Sequence, residues 1–170
     1  MHNEYCMQLG SIKLVPLSEE DSEKMRVLRN ENRNCFVYSG EISKQAQAAW
    51  YQNYLECLND YMFSVIYVPA EVWIGAVGLY DIADGEAEFG RLLVDGTTVG
   101  KHGLGVPVTR AACRIGFELM GLQRIRLEVY ADNAAAIKTY ERAGFSHSGK
   151  CKDNTGRNML CMEIFNNSSK

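Results

Sequence analysis

Three consecutive β-rich segments, separated only by short turns, constrain the fold of this chain more than any other feature. Residues 61–68 and 72–80 are rich in β-branched and aromatic side chains, and a Pro-Ala-Glu turn at 69–71 separates them. An Asp-Gly turn at 84–85 precedes a third such segment at 86–94. Consecutive strands joined by short turns pair with one another, so this stretch predicts an antiparallel meander.

Helical patterns flank the meander on both sides along the sequence, because apolar residues recur there at helical spacing. The predicted elements are, in order, a strand at 12–17, helices at 18–30 and from Ser43, the three meander strands, a helix at 103–120, a strand at 124–130, a helix at 133–143, and strands at 145–151 and 158–165. This order predicts an α/β (α+β) fold with a mixed sheet.

The composition indicates one domain without a strong global charge. The chain has 170 residues, and 46% of them are hydrophobic, which suffices for one sizeable core. Eighteen basic and 21 acidic residues give a net charge of -3, so no strong field attracts nucleic acid or an anionic membrane. We therefore predict a single domain over residues 1–170 with a frayed tail at 166–170, and neither a nucleic-acid nor a membrane partner.

The N-terminal residues and the cysteines indicate a cytoplasmic protein. The first residues have neither the basic head nor the apolar run of a signal peptide, and no window approaches the ~20 apolar residues that span a bilayer. The six cysteines are scattered, with no C-x-x-C pair and no ligand-like spacing. We therefore predict reduced thiols and no metal site.

A glycine-rich loop at 99–105, Val-Gly-Lys-His-Gly-Leu-Gly, lies between a predicted strand and a predicted helix. Free amides at a helix start and the helix dipole together form an anion site, to which Lys101 adds charge. A pyrophosphate suits such a site, although many glycine loops only turn a corner. The loop is neither a P-loop nor a dinucleotide fingerprint, because it lacks Gly-Lys-Ser/Thr and its glycine spacing differs.

A second motif runs from Asn133 to Phe145. Asn133 and Tyr140 are seven residues apart, close to two helical turns, so both side chains can face the same ligand. The alternative is structural, with Asn133 as an N-cap and Tyr140 as an amphipathic core residue. Each residue taken singly favours the structural interpretation.

Together the motifs resemble the GNAT superfamily of N-acetyltransferases. The resemblance covers residues 61–165 and is strongest in Glu-Phe-Gly-Arg at 88–91, in Gly-Leu-Gly at 103–105, and in the Asn-x-x-Ala-x-x-x-Tyr-x-x-x-Gly-Phe run at 133–145. The strand at 124–127 is similar to the ribosomal-protein-type branch, which also holds polyamine and amino-sugar acetyltransferases. The resemblance implies a GNAT fold, a mixed and mostly antiparallel sheet with splayed middle strands and helices on both faces.

The resemblance also implies where acetyl-CoA, the expected co-substrate, is bound. Residues 61–165 form its binding core, whereas residues 1–60 supply the acceptor-side helices. The third meander strand binds the pantetheine and acetyl groups through its backbone, and the loop amides hold the pyrophosphate. Gly100 stands where the family usually has Gln or Arg, so that phosphate contact is expected to be either missing or supplied by Lys101. The implied cofactor-binding residues are Leu92, Leu93, Val94, Lys101, His102, Gly103, Leu104, Gly105, Asn133 and Ala136.

Two residues are candidates for the chemistry. Tyr140 stands where the family places a tyrosine that protonates the leaving thiolate, and a phenol has a pKa of ~10, near that of a thiol. An alkylamine is mostly charged at neutral pH, so a base must remove its proton. Glu88 is the preferred base, although alternation places Glu86 on the same face and both carboxylates can instead be solvated surface charges.

The acceptor is the least constrained part of the prediction. Arg29 and Arg33, at i and i+4, can bind an acceptor phosphate or carboxylate, and Arg91 can orient the acceptor or pair with Glu88. These residues favour an amino-sugar nucleotide. A protein N-terminus and a polyamine stay open, although a polyamine requires an acidic pocket that the sequence does not locate. A non-catalytic acyl-CoA sensor is the alternative of another class, and similar proteins are commonly homodimers.

Overall fold

The computed structural model describes residues 3–33 and 40–167, which are built around one eight-stranded sheet. Residues 34–39 of the polar acceptor-side segment and 168–170 of the predicted tail lie outside these ranges. The strands follow the spatial order β1-β2-β3-β4-β5-β6-β8-β7. Their bounds are β1 Met7–Leu9, β2 Ile12–Pro16, β3 Tyr61–Tyr67, β4 Val72–Ala83, β5 Glu86–Val94, β6 Arg124–Tyr130, β7 Ser146–Lys152 and β8 Asn158–Phe165.

Four α-helices connect the strands: α1 (Glu19–Glu31), α2 (Lys44–Glu56), α3 (Gly105–Arg114) and α4 (Ala134–Ala143). Ser18 caps α1 and Ser43 caps α2, each hydroxyl accepting a hydrogen bond of 3.1 Å from a first-turn amide. The predicted starts of both helices and the antiparallel meander of β3, β4 and β5 are thus confirmed. No described helix combines the length and the apolar character that crossing a bilayer requires.

One strand was missing from the predicted order, and one predicted boundary was wrong. The predicted elements began with a strand at Ile12, but β1 precedes it. A turn at Gly10 connects β1 to β2, and the two strands pair. A three-residue strand is too short to show a periodicity, which explains the omission. The third helix starts at Gly105 rather than at Gly103, and its last part is a π-helical turn at Ile115–Leu119.

Apolar side chains cover the sheet on both faces. The larger core includes Phe63, Phe89 and Ile125, and it receives buried residues of α3 together with half-buried residues of α4. The smaller core joins β3, β4 and β5 to α1 and α2 through residues such as Met25, Tyr54 and Met62. Helices therefore pack against both faces, as the resemblance implied.

The middle of the sheet is parted. The strands β5 and β6 form the only parallel pair of the described sheet, and they pair over three residues, from Glu86 with Arg124 to Glu88 with Arg126. Farther along, β5 carries a bulge, because Arg91 and Leu92 together oppose Val77 of β4. Arg91 adopts a left-handed φ of 51° at this bulge. A bulge bends the strand that carries it, so β5 and β6 diverge beyond Glu88.

Candidate active site

A cleft of about 1360 Å³ opens where β5 and β6 part. Ligand pockets usually occupy roughly 300–1,000 Å³, so this cleft has room for two substrates. The structure brings together all the predicted site residues except Arg33. Those that line the cleft are Arg29, Glu88, Arg91, Leu92, Leu93, Val94, Lys101, His102, Gly103, Leu104, Gly105, Asn133, Ala136 and Tyr140.

The wall formed by β5 offers unpaired backbone. Its pairing with β6 stops at Glu88, whereas pairing with β4 continues to Val94. One edge of β5 therefore faces the cleft without a strand partner from Phe89 to Val94. Buried main-chain groups require hydrogen-bond partners, so this edge is suited to a ligand that carries amides and a carbonyl.

The start of α3 offers free amides. Its N-cap position, Leu104, makes no side-chain capping bond, and the amides of His102, Gly103 and Leu104 have no acceptor in the described part of the chain. The amide of Lys101 was expected to belong to this set, but it donates to the Gly96 carbonyl at 2.8 Å. Lys101 therefore offers its exposed ammonium group rather than its amide, and the run of unbonded amides begins at His102.

Gly103 keeps this amide cradle open. It has a left-handed φ of +71°, and a Cβ at this position would meet no atom within 4 Å. Gly105 packs closely, because a Cβ there would lie 3.1 Å from Cγ2 of Thr139 on α4. The two glycines thus serve different purposes: Gly103 permits the turn toward the cleft, and Gly105 brings α3 against α4.

Asn133 is the N-cap of α4, and it also lines the cleft. Its Oδ1 caps α4 by accepting a hydrogen bond of 3.2 Å from the amide of Ala136. Its side-chain NH₂ group has no partner within residues 3–33 and 40–167, and the residue lines the cleft. Because this cap fixes the Asn133 side chain, its NH₂ group is held in place at the start of α4.

Tyr140 of α4 is held by two aromatic neighbours, one of which belongs to β5. Its ring makes edge-to-face contacts with Phe89 and Phe145, with centroid separations of 5.7 and 6.1 Å. Burial raises the pKa of the Tyr140 phenol to about 12. The hydroxyl makes no hydrogen bond to any residue that the structure describes, so it stays protonated and available to a ligand in the cleft.

Glu88 lies in a polar network between β4 and β5. Its carboxylate accepts a hydrogen bond of 3.1 Å from the Tyr80 hydroxyl. Burial raises the pKa of Glu88 and the negative charges of Glu128 and Asp81 add to the effect, although the Tyr80 bond and Arg126 oppose it. A Cβ at Gly90 would collide with the Tyr80 hydroxyl, so this glycine admits the hydrogen bond.

Arg91 pairs with an unforeseen partner. Its Nη1 is 2.7 Å from the Asp60 carboxylate, and its guanidinium lies 4.2 Å from the ring centroid of Tyr80. The expected pair with Glu88 is not formed. Glu86, the alternative base, instead pairs with Arg124 at 3.1 Å and does not line the cleft, which leaves Glu88 as the carboxylate of β5 that does.

The two arginines of the acceptor-side segment are separated. Arg29 lines the cleft and donates to the Gly40 carbonyl at 3.2 Å. Arg33 follows the end of α1 at Glu31, in the segment that the sequence predicted to be a loop, and it is exposed outside the cleft lining. The described residues therefore do not bring the two guanidinium groups together in the cleft.

The cleft also includes residues that sequence reasoning missed. Glu128 lies on β6 opposite the parted edge, and Asp95 follows β5, where Thr97 and Thr98 hydrogen-bond to its carboxylate. Strand alternation already placed Glu128 on the polar side of β6. This alternation did not predict that Glu128 lines the cleft, because its side of β6 faces the cleft only where β5 and β6 part.

Comparison with known protein families indicates which function this cleft serves. The family model of the acetyltransferase (GNAT) domain matches residues 11–146. The chain belongs to the GNAT acetyltransferase family. The parted strands, the uncapped helix start and the half-buried Tyr140 of this GNAT protein thus belong to an acetyl-CoA-dependent N-acetyltransferase.

Three similar proteins extend the comparison. A probable spermine N(1)-acetyltransferase of Bacillus subtilis subsp. natto is 27% identical over 131 residues, covering 71% of this chain and 86% of the relative. The structure of Vibrio cholerae spermidine N-acetyltransferase with CoA and spermine has a TM-score of 0.80 at 23% identity, covering 92% and 96% of the two chains. The apo structure of FdhC, a nucleotide-linked sugar GNAT, has a TM-score of 0.80 at 18% identity, covering 96% and 91%. Both structures share the fold.

Replacing Gly103 by Val should weaken acetyl-CoA binding by about tenfold, or about 1.4 kcal/mol, because the side chain would enter the amide cradle. Gly100→Val is the matched control. Gly100 has a similar left-handed φ of +61° and equally open surroundings, but its amide is bonded to Thr97 and it does not line the cleft. Isothermal titration of both variants checks this, and equal dissociation constants would contradict the cradle.

Proposed function

We propose that this GNAT protein acetylates a small amine that carries a second positive charge, with a polyamine as the representative acceptor. The observation that carries the proposal is the pair of carboxylates, Glu88 and Glu128, on the two walls of the parted strands. Such a pair attracts a cationic chain into the cleft and supplies a base for its attacking end.

The charges around the cleft support an acidic acceptor end. Burial raises the pKa of Glu88, and the negative charges of Glu128 and Asp81 add to the effect against the opposing Tyr80 hydrogen bond and Arg126 charge. A second ammonium group on the acceptor relieves this repulsion when it binds near Glu128. The acidic pocket that a polyamine requires is therefore available at a place that the sequence alone did not indicate.

The arginines give little support to an amino-sugar nucleotide, which the sequence favoured. The guanidinium of Arg91 is already bonded to Asp60, and Arg33 lies outside the cleft lining. A nucleotide diphosphate would need at least two such charges to be free for it. The amino-sugar nucleotide and the protein N-terminus accordingly become comparison acceptors in the test below.

In the proposed mechanism, Glu88 accepts the proton of the attacking ammonium group, and the neutral nitrogen then forms a bond to the thioester carbonyl. A backbone amide on the free edge of β5 stabilises the negative charge that develops on the carbonyl oxygen. The carbon–sulfur bond breaks, Tyr140 donates its phenolic proton to the departing sulfur, and the acetylated nitrogen releases its remaining extra proton to solvent. Proton transfer from solvent restores Tyr140, and Glu88 releases its proton to solvent.

The high pKa of Tyr140 is compatible with this role. A phenol with a pKa of about 12 is a weak acid for an ordinary thiolate, whose pKa is about 8.5. Desolvation raises thiol pKa values too, as the buried Cys113 of this chain shows with a pKa of about 12. Desolvation of the leaving sulfur in the cleft acts in the same direction and narrows the difference between its pKa and that of the Tyr140 phenol.

An acceptor screen tests the proposal directly. Thiol release from acetyl-CoA is followed with spermidine, spermine, a monoamine of similar length, an amino-sugar nucleotide and an N-terminal peptide. Because the second charge binds near Glu128, we expect kcat/KM for the polyamines to exceed that for the monoamine by at least about tenfold. Glu128→Gln should reduce this preference, whereas Glu163→Gln on the neighbouring strand should not. Both variants are assayed after chelator treatment, so that no bound metal ion affects the comparison.

Two outcomes would reject the polyamine assignment. A preference for the amino-sugar nucleotide or the peptide would assign the cleft to that acceptor class. Acetyl-CoA binding without turnover on any amine would favour the acyl-CoA sensor.

Removing the hydroxyl of Tyr140 should reduce turnover without weakening the cofactor complex. Tyr140→Phe preserves the ring contacts with Phe89 and Phe145, so the fold and the acetyl-CoA dissociation constant should stay unchanged. Loss of general acid catalysis should lower kcat by about 10²-fold or more. Single-turnover kinetics check this, and an unchanged kcat would exclude Tyr140 from proton transfer.

The base role of Glu88 predicts a specific pH dependence. Its folded pKa is raised above 4.5, and the base must be ionised, so kcat/KM should rise with pH through that raised value. Glu88→Gln should remove this limb and lower kcat/KM about 10²-fold, leaving only the limb caused by the amine itself. Glu86→Gln is the control on the same strand, and an acidic limb that persists in Glu88→Gln would assign the base elsewhere.

A further inference from the structure

Two thiols and a carboxylate converge on three neighbouring strands. Glu128 of β6 lies directly opposite Cys161 of β8, and Cys151 of β7 approaches from the other side. The ligating atoms of the three residues all lie within 4.8 Å of one another, and the two Sγ atoms are 3.3 Å apart. Because Met162 of β8 points into the larger core, its neighbour Cys161 points to the opposite face of the sheet.

The two cysteines are diagonal neighbours on the hairpin of β7 and β8. Gly149 of β7 is the register partner of Cys161, and Cys151 is the partner of Met159. An added Cβ at Gly149 would lie 4.0 Å from the Cβ of Cys161, which is an ordinary van der Waals contact. The register of the hairpin, rather than the glycine, therefore brings the two thiols together.

We propose that Glu128, Cys151 and Cys161 form a binding site for a thiophilic divalent cation, of which Zn²⁺ is the reference. Two thiolates and one carboxylate are a suitable ligand set for zinc, and the fourth tetrahedral position is open to water because the group lies at the surface. With Zn–S bonds of about 2.3 Å, a tetrahedral site separates its two sulfurs by roughly 3.8 Å. An outward shift of about 0.5 Å from the present thiol contact satisfies this geometry.

A disulfide fits the same two cysteines less well. Diagonal partners on antiparallel strands usually have Cα atoms roughly 7–8 Å apart, whereas a disulfide requires less than about 7 Å. A dication binds with release of both thiol protons to solvent, so the net charge of the group stays that of one carboxylate.

The proposed site shares Glu128 with the acetyl-transfer cleft. A bound cation occupies the carboxylate that the proposed function assigns to the second charge of the acceptor. Metal loading should therefore raise KM for a polyamine and leave the dissociation constant of acetyl-CoA unchanged. This kinetic consequence depends on the proposed function, whereas metal binding itself does not.

Cobalt titration tests the site without any acetyl transfer. The reduced, chelator-treated full chain is titrated with Co²⁺, and thiolate coordination is detected as a charge-transfer absorption band. We expect one equivalent per chain, loss of the band in Cys151→Ser and Cys161→Ser, and at least about tenfold weaker binding in Glu128→Gln. Cys57→Ser, which removes an equally half-buried cysteine outside the group, should bind like the unmodified chain.

The results separate the alternatives. Absence of the band, or a band that persists in Cys161→Ser, would overturn the metal site. A chain that binds no Co²⁺ but loses two hydrogens on exposure to oxidised glutathione would assign the pair to a disulfide. Circular dichroism of each variant confirms that a lost band reflects a lost ligand rather than unfolding. Failure of this test would leave the acceptor screen unaffected.

Discussion

The parting of β5 and β6 after three paired residues is the constraint on which the rest of the molecule depends. Had the strands stayed paired to Val94, the backbone of β5 would be satisfied within the sheet and no cleft would exist between the two apolar layers. The bulge at Arg91 keeps β5 and β6 apart, because β5 bends at the point where its pairing with β4 shifts. The free edge that results is a liability in an ordinary sheet and a binding surface in this one.

The Glu-Phe-Gly-Arg segment shows how one strand supports both structure and chemistry. Glu88 receives the Tyr80 hydroxyl, Phe89 positions Tyr140, and Gly90 leaves the space that Tyr80 crosses. Arg91 then completes the segment by bonding to Asp60 and covering the ring of Tyr80. Glu88, the candidate base, and Phe89, which contacts the candidate acid Tyr140, are thus adjacent residues on opposite faces of β5. A substitution at Gly90 would disturb the base without contacting the substrate.

Local patterns predicted the element order, the meander, the glycine loop and the spacing of Asn133 and Tyr140, because each depends on residues close in sequence. Contacts between distant segments were not accessible in this way. Arg91 pairs with Asp60 from 31 positions away, and nothing in either residue's neighbourhood indicates the other. The same holds for Cys151 and Cys161: their spacing matches no ligand motif, and only the register of the β7–β8 hairpin brings the thiols together. The acceptor pocket failed to emerge for a related reason, since Glu128 faces a cleft only after β6 leaves β5.

Glu128 connects the two proposals through a thermodynamic constraint. If its carboxylate binds either an ammonium group in the cleft or a metal ion beside the two cysteines, the two cations compete for one negative charge. Linkage then requires that each ligand weaken the other by the same factor, whichever binds first. Glu88 cannot replace the lost charge at no cost, because its own pKa is already raised by burial and by Glu128. Metal occupancy would therefore change the acceptor preference of the cleft while the amide cradle at the start of α3, on the opposite side of the parted strands, kept its affinity for acetyl-CoA.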